Sequence, residues 1–167
     1  MNKELIILIV SWVVCLFLLI RFIPKERKRY FQIVFLFAHA TAWIFTHIQV
    51  SMDLVRFPYR EFSHATKMSF SLYYIVLPTF AVLFLLYYPE KKHRLKIFLY
   101  YLIFSNGIHL YMFLVEKNSN LIHDLNWHWW LAVSIDFLVL YMTKTFAFWF
   151  RKGFSKIQRI NKRSNSP

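Results

Sequence analysis

Five apolar blocks of about twenty residues each, separated by short polar gaps, are the feature of this chain that most constrains its fold. A helix crosses the hydrocarbon core of a bilayer with ~20 mostly apolar residues, and its backbone groups must be paired within the segment. The blocks lack the polar and apolar alternation that strands of a membrane barrel need. We therefore predict an all-α polytopic membrane protein, a five-helix transmembrane bundle. The helices are expected at about residues 5–23, 30–50, 70–88, 95–115 and 127–150.

The Lys and Arg residues fall almost entirely in every second gap. Fourteen of the 21 lie in or beside the gaps 24–29 and 89–94 and in the tail 151–167, whereas five lie on the opposite side. Cytoplasmic loops of membrane proteins retain Lys and Arg. The pattern predicts that the amino terminus is outside and the carboxyl terminus inside the cell membrane. Residues 1–150 would form a single transmembrane bundle, and residues 151–167 a basic cytoplasmic tail.

The net charge of +13 and the 58% share of hydrophobic residues narrow the choice of partners. The cations cluster beside helix ends, and the chain carries no nucleic-acid-binding motif, so we expect anionic lipid head groups on the cytoplasmic side and no nucleic acid. A second membrane protein or another copy of the chain is the further partner considered. The sequence also lacks a phosphate-binding glycine loop, a nucleophile elbow and a cysteine pair, and we expect no cofactor.

The longest gap, residues 51–69, alternates charged with apolar and aromatic residues, which is typical of a segment lying in the head-group zone. Residues 56–62 read RFPYREF, and they are followed by Ala65-Thr66-Lys67 and later by Tyr87-Tyr88-Pro89. This combination resembles an uncharacterised family of small multi-pass membrane proteins from spore-forming Firmicutes, over about residues 20–150. The resemblance implies a bacterial cytoplasmic membrane and no established activity, and it supplies no catalytic residues.

Four of the polar residues inside the apolar blocks form a candidate cluster, at positions where charge and hydrogen-bonding groups are costly. At ~1.5 Å rise per residue, His39, Asn106 and Asp136 fall at similar depth in three different helices, and His109 lies one turn further outward. The favoured pair is Asp136 with His39, with Asn106 or His109 as a further hydrogen-bonding partner. One interpretation is that these groups join helices by satisfying one another. The other is a proton or cation relay, since histidine titrates near neutrality.

A second group of polar residues lies toward the outer surface. His47, Asp53, Asp124 and His128 have the chemistry of metal ligands, and three of them with an open position would describe a catalytic zinc site. Each would come from a different segment, and no local metal-binding motif supports the set. The alternative is that these residues simply lie among the head groups.

Tryptophans mark both ends of the fifth block. Trp127, Trp129 and Trp130 lie at its start, and Trp149 lies near its other end. Because tryptophan prefers the membrane interface, we interpret them as interfacial anchors. The alternative for the first three is a surface that binds a lipid head group or a partner helix.

Three functions are compatible with this pattern. The first is a non-catalytic membrane scaffold or accessory subunit, which predicts a dry core and a self-satisfied polar cluster. The second is a small proton or cation transporter, or a component of a channel, which predicts a polar cavity around the mid-membrane Asp/His cluster. The third is an interfacial lipid-modifying enzyme, which requires the outer His and Asp residues to converge.

Overall fold

The computed structural model describes residues 3–61, 64–124 and 128–164, with side chains for all of these except 124 and 154–164. Apart from turns and loops, the described chain is helical, with a single pair of two-residue strands. The α-helices are α1 (Lys3–Phe22), α2 (Lys28–Ser51), α3 (Leu77–Leu86), α4 (Arg94–Asn118) and α5 (Trp129–Ser164). The other elements are a 3₁₀ turn (Lys25–Arg27), a π turn (Leu72–Val76) and the strands β1 (Val55–Arg56) and β2 (His123–Asp124).

The all-helical fold predicted from the apolar blocks is confirmed. Four of the helical segments are long and apolar enough to cross a membrane, namely Lys3–Phe22, Lys25–Ser51, Arg94–Asn118 and Trp129–Gly153. The third block is shorter, with its apolar helix at Leu72–Leu86. The fifth helix is longer than its apolar block, because it continues to Ser164 through the predicted basic tail.

The π turn before α3 lies next to a buried proline. Pro78 has no N–H, so it cannot donate to the Tyr73 carbonyl five residues earlier, which is the partner that π geometry would give it. The His39 Nδ1 atom, on α2, lies 3.2 Å from this carbonyl oxygen. The His39 side chain therefore hydrogen-bonds a backbone carbonyl that the proline leaves without its helical donor.

The centre of the bundle is formed by α2 and α5. Helix α5 packs against α2 and α4, and α2 packs against α3. Helix α1 lies at the edge of the bundle, against the π turn and α3, which together we call the third helical segment. The inward face of α2 is made of small residues that let neighbouring backbones approach closely. These buried residues are Ala38, Thr41, Ala42 and Thr46.

The two strands hold a cap over one end of the bundle. The cap comprises residues 52–61, 64–69 and 119–124. In it, Val55 pairs with Asp124 in the antiparallel ladder, and the Tyr59 N–H donates to the Asn120 carbonyl at 3.0 Å. The cap contributes buried apolar side chains to the core, namely Val55, Phe57, Met68, Leu121 and Ile122. The predicted interfacial segment is therefore tied to the protein core.

Glu61 connects the cap to the third helical segment. Its two carboxylate oxygens accept hydrogen bonds from the backbone N–H groups of Phe70 and Ser71, at 3.1 and 3.0 Å. The Ser69 hydroxyl lies 3.4 Å from the same carboxylate. Amides in the first turn of a helix have no partner within the helix, so a single glutamate satisfies two of them and places its charge at the positive end of the helix dipole.

The turn that ends α2 contains a residue in the left-handed backbone region. Asp53 has φ = 53°, and the Leu54 and Asp53 N–H groups bond the carbonyls of Gln49 and Val50. This is the Schellman arrangement, in which the position after the helix cap favours glycine. Asp53 also lies 3.5 Å from Arg56, in an exposed ion pair.

Substitutions at Asp53 are expected to separate backbone strain from charge. Asp53→Gly removes the ion pair but adopts the left-handed conformation freely, so its stability should remain close to that of the wild type. Asp53→Ala removes the same ion pair and retains a Cβ, and should be about 1 kcal/mol less stable than Asp53→Gly. Thermal unfolding in detergent measures the difference, and equal stability of the two variants would contradict it.

The opposite end of the bundle gathers the three basic segments. Tyr30, at the start of α2, donates its hydroxyl to the Ala147 carbonyl of α5 at 3.0 Å. Arg151 of α5 bonds both oxygens of Glu90, in the loop before α4, at 2.7 and 3.1 Å. The gaps 24–29 and 89–94 and the part of α5 around Ala147 and Arg151 therefore lie together, and we call this the basic end.

The Glu90–Arg151 pair is expected to stabilise the basic end only above acidic pH. The hydrogen bonds from Arg151 hold the pKa of Glu90 below its ordinary value of 4.5. Because the folded-state pKa is depressed, the contribution is complete above pH ~4.5 and is lost as the pH falls through the folded-state value. Both side chains are about half exposed, so Glu90→Gln should cost only ~0.5 kcal/mol at pH 7. Unfolding of both proteins at pH 7 and pH 3 tests this, since the difference should be smaller at pH 3 than at pH 7.

Candidate functional site

A cavity of about 60 Å³ lies inside the bundle, where α2, α4 and α5 meet beneath the cap. Much of its wall is apolar, and short side chains such as Ala38, Ala42 and Ala132 leave the space open. The volume is sufficient for water, since one water molecule needs only ~10–15 Å³ of such space. The polar residues that line it are Thr46, Gln49, Tyr73, His109 and Asp136.

Asp136 faces the interior of the bundle. It lies four residues from Ala132 and four from Leu140, which are 4% and 1% exposed, so the three share one face of α5. Asp136 is half-buried and lines the cavity. Among the described residues, no group forms a hydrogen bond or ion pair with its carboxylate. An unpaired ionised carboxylate in apolar surroundings is costly, so this group favours binding a proton or a small cation.

His109 is the second titratable residue of the cavity. It lies on α4, is 7% exposed, and its ring stands edge-on to that of Trp129 with 4.3 Å between centroids. The Trp129 indole N–H donates to the Asn106 side-chain oxygen at 3.1 Å. Asn106 lines a shallow surface groove with Trp129 and Trp130 and does not line the cavity. Of the four residues in the predicted cluster, Asp136 and His109 therefore share the cavity, and Asn106 reaches His109 only through Trp129.

Two buried hydroxyl groups continue from His109 along α4. Tyr101, Ser105 and His109 follow one another at four-residue steps and so lie on one face of the helix, about 6 Å apart per turn. The Ser105 Oγ and Tyr101 OH atoms are buried, and neither forms a hydrogen bond of good geometry within the described structure. The Tyr101 hydroxyl does interact with the side chain of Tyr88. Because neither hydroxyl bonds its neighbour on this face directly, a connection along it would use bridging water molecules.

Between the cavity and the basic end, the bundle is closed by aromatic side chains. Phe84 is fully buried and its ring centroid lies 4.8–5.5 Å from those of four neighbours. The four neighbours are Tyr88, Tyr100, Tyr101 and Phe104. Ala81 and Leu140 are buried in the same cluster. A hydrated ion therefore meets a packed barrier there, whereas a proton needs only groups that exchange hydrogens.

His39 does not line the cavity. Its ring packs edge-on against Tyr74 and Trp43, with centroids 4.8 and 5.9 Å away, and its Nδ1 atom bonds the Tyr73 carbonyl. His39 therefore lies at the π turn before α3 and not with Asp136, although the two residues were predicted at similar depth. The depth of a residue along a helix does not specify which face of the helix carries it. This is the reason that His39 and Asp136 were predicted together but lie apart.

The residues considered as metal ligands lie on the surface near the cap. His47 and Asp53 are exposed at the end of α2, and His128 is exposed before α5. The side chain of Asp124 lies outside the described residues. Within the described part of the chain, no group of three or more His, Cys, Asp or Glu residues could hold a metal ion.

The tryptophans occupy different environments. Trp130 and Trp149 are 81% and 69% exposed, at opposite ends of the apolar part of α5, as interfacial anchors would be. Trp129 packs on α4 through His109 and Asn106, so it also supports the wall behind the cavity. Trp127 lies outside the described residues. The interfacial role of these residues stays a prediction.

Comparison with protein-family profiles, curated proteins and solved structures finds no match to this chain. The candidate site is therefore defined by its geometry.

The sequence carries a signal for polar residues in and beside the cavity beyond those predicted. Tyr101, Ser105 and His109 recur every four residues, and Thr46 and Gln49 extend the small-residue face of α2 toward the cap. A polar stripe within an apolar block would have identified these residues. The capping role of Glu61 has no comparable signal, because its partners lie nine and ten residues away across a loop.

Proposed function

We propose that this chain is an integral membrane protein with five spanning helices that moves protons through the bundle. Its amino terminus is placed outside and the basic end in the cytoplasm. The observation that carries the proposal is that Asp136 and His109 line one cavity, directly followed by Ser105 and Tyr101 along α4. The orientation is supported by the three basic segments meeting at one end, as positive-inside loops do.

The third helical segment is the shortest of the five proposed spans. Residues 70 and 71 extend the helix before the π turn, and Glu61 caps its first amides. Irregular backbone at membrane depth is tolerated where it is surrounded by protein, and the cap provides those surroundings. The resemblance of residues 56–62 to small multi-pass proteins of spore-forming Firmicutes adds the bacterial cytoplasmic membrane as the proposed location.

In the proposed path, a proton enters from the cap side and binds the Asp136 carboxylate or the His109 imidazole. Each later step adds a proton to an oxygen lone pair and releases the hydrogen that the oxygen carried, so each group returns to its starting charge. Water bridges the turns between His109, Ser105 and Tyr101. Tyr88 follows, with its ring centroid 6.2 Å from that of Tyr101. The Lys144 ammonium lies 5.6 Å from the Tyr88 ring, toward the basic end.

The aromatic closure around Phe84 favours a proton over a hydrated cation. A hydrated cation would need an open route past Phe84 and Leu140, both of which are almost fully buried. A proton relay requires only titratable groups and hydroxyls in sequence, so one copy of the chain would be sufficient.

Purified protein in liposomes tests the proposal. With an inward-negative potassium diffusion potential and a pH dye inside, wild-type vesicles should acidify several-fold faster than empty vesicles. Sodium and potassium fluxes, measured in separate vesicles without the diffusion potential, should stay at the level of empty vesicles. Proton uptake equal to that of empty vesicles, with protein reconstituted in both orientations, would contradict the proposal.

A non-catalytic scaffold or accessory subunit is the second candidate, and the edge position of α1 favours it. Exposed apolar side chains of α1 include Val13, Phe17 and Ile20, all more than 60% exposed. Such a face suits either lipid or a partner helix. A membrane protein that copurifies in mild detergent at a fixed ratio, together with the absence of proton uptake, would select this candidate.

A further inference from the structure

A groove on the outside of the bundle, separate from the cavity, lies between the end of α1 and the start of α2. Its volume is about 540 Å³, within the ~300–1,000 Å³ range of small-molecule sites. Leu19, Ile20 and Ile23 form one wall, and the base includes the buried Phe31 and Val82. The groove is therefore lined by aliphatic and aromatic side chains over most of its surface.

Apart from the Tyr74 phenol, the polar residues that line the groove lie at one end. Lys28, at the first position of α2, lines the groove and is exposed, and Gln32 lines it one turn later. From Lys28 to Leu36 the groove follows α2 for about 12 Å at ~1.5 Å per residue. A single leaflet of hydrocarbon is ~15 Å thick, so this length suits most of one lipid tail.

The surroundings of Lys28 carry a strong positive charge. The adjoining turn contributes Lys25, Arg27 and Arg29, opposed within residues 24–30 by Glu26 alone. An anionic group at this end would be attracted by several cations, whereas a zwitterionic head group would gain much less. Charge and shape together describe an amphiphile with an anionic head and an apolar tail.

We propose that the groove binds an anionic phospholipid, with one acyl chain between α1 and α2 and the phosphate at Lys28. The lipid would fill the surface groove between α1 and α2. In this part of the bundle α1 packs mainly on the third helical segment and less on α2. Such a lipid would act as an additional packing element that holds the edge helix to the bundle. The proposal does not depend on proton movement, and it is tested in detergent without any flux measurement.

Native mass spectrometry of the purified protein tests the site, with phosphatidylglycerol and phosphatidylcholine of identical acyl chains as probes. The wild type should retain one phosphatidylglycerol molecule in preference to phosphatidylcholine. Lys28→Ala should weaken this binding about fivefold, the equivalent of ~1 kcal/mol for one cation near an anionic head group. Ile20→Trp, at a 76% exposed wall position, should weaken binding of both lipids by obstructing the tail.

Two matched control variants distinguish lipid binding in the groove from general attraction of lipid to the protein. Lys96→Ala removes an exposed cation from the start of α4, and Ile103→Trp adds the same bulk at a 68% exposed position of α4 outside the groove. Both should bind phosphatidylglycerol as the wild type does. Equal retention of the two lipids by the wild type, or equal losses in Lys28→Ala and Lys96→Ala, would overturn the proposal.

Discussion

Asp136→Asn is expected to lower proton uptake into liposomes by at least about tenfold, while the protein folds as the wild type does. The amide has nearly the shape of the carboxylic acid but cannot take up and release a proton at neutral pH. Asp136 lines the cavity, and no described residue pairs with its carboxylate, so the substitution breaks no ion pair. Removing an unpaired carboxylate from an apolar interior should leave the unfolding temperature unchanged or raise it.

Replacing histidines provides the matched control for this result. His109→Gln removes a titratable group from the cavity and should also reduce proton uptake. His39→Gln changes the same residue type at similar depth outside the cavity, and glutamine can still donate to the Tyr73 carbonyl. Uptake per folded molecule should then stay near that of the wild type. Equal loss in the two histidine variants would contradict the assignment of the path to α4 and α5.

The hydroxyls on α4 extend the same prediction. Tyr101→Phe and Ser105→Ala each remove one oxygen whose hydrogen bonds are not satisfied by described residues. Both should slow proton uptake with little change in stability, because no hydrogen bond within the described protein is lost. Unchanged uptake in both variants would leave Asp136 and His109 without the proposed route to the basic end.

Glu61→Ala is expected to lower the free energy of unfolding by ~2–3 kcal/mol, the largest stability effect of any substitution considered for this chain. The two backbone amides that Glu61 accepts from would lose a charged partner in a half-buried setting. The cap would also lose its connection to the helix that carries the π turn. Urea unfolding in detergent, followed by circular dichroism, measures the change.

Hydrogen exchange gives the local signature of this loss. The amides of Phe70 and Ser71 should exchange faster in Glu61→Ala, while amides in the middle of α5 should not. Glu26→Ala serves as the control, since Glu26 is exposed in the 3₁₀ turn at the basic end. A destabilisation of Glu26→Ala as large as that of Glu61→Ala would contradict a specific capping role.

The fold was largely predictable because apolar blocks of spanning length leave a chain few alternatives. Helix bounds agree to within a few residues for the first, second and fourth blocks. The small residues of the second block are buried where α2 packs among its neighbours, chiefly α3 and α5. The end of α5 differs most, since hydropathy detects the apolar part of a helix and not its polar continuation to Ser164.

The candidate site was predictable only in part. Depth estimates selected Asp136 and His109 as well as His39 and Asn106, because rise per residue determines height in the bundle. The face of each helix depends on its neighbours, and these separated His39 and Asn106 from the cavity. Gln49 lines the cavity because of the way α2 packs against α5, which the sequence does not specify.

By itself, the sequence determined that the chain is helical and apolar, and that its cations are concentrated in alternate gaps. These properties depend on local composition and spacing, which are visible along the chain. Only the tertiary structure decided that Asp136 and His109 share a cavity, that Glu61 caps a helix nine residues away and that Lys28 lies at the end of an apolar groove. The physical reason is that these sites depend on the rotation and packing of separate helices, which composition and spacing do not specify.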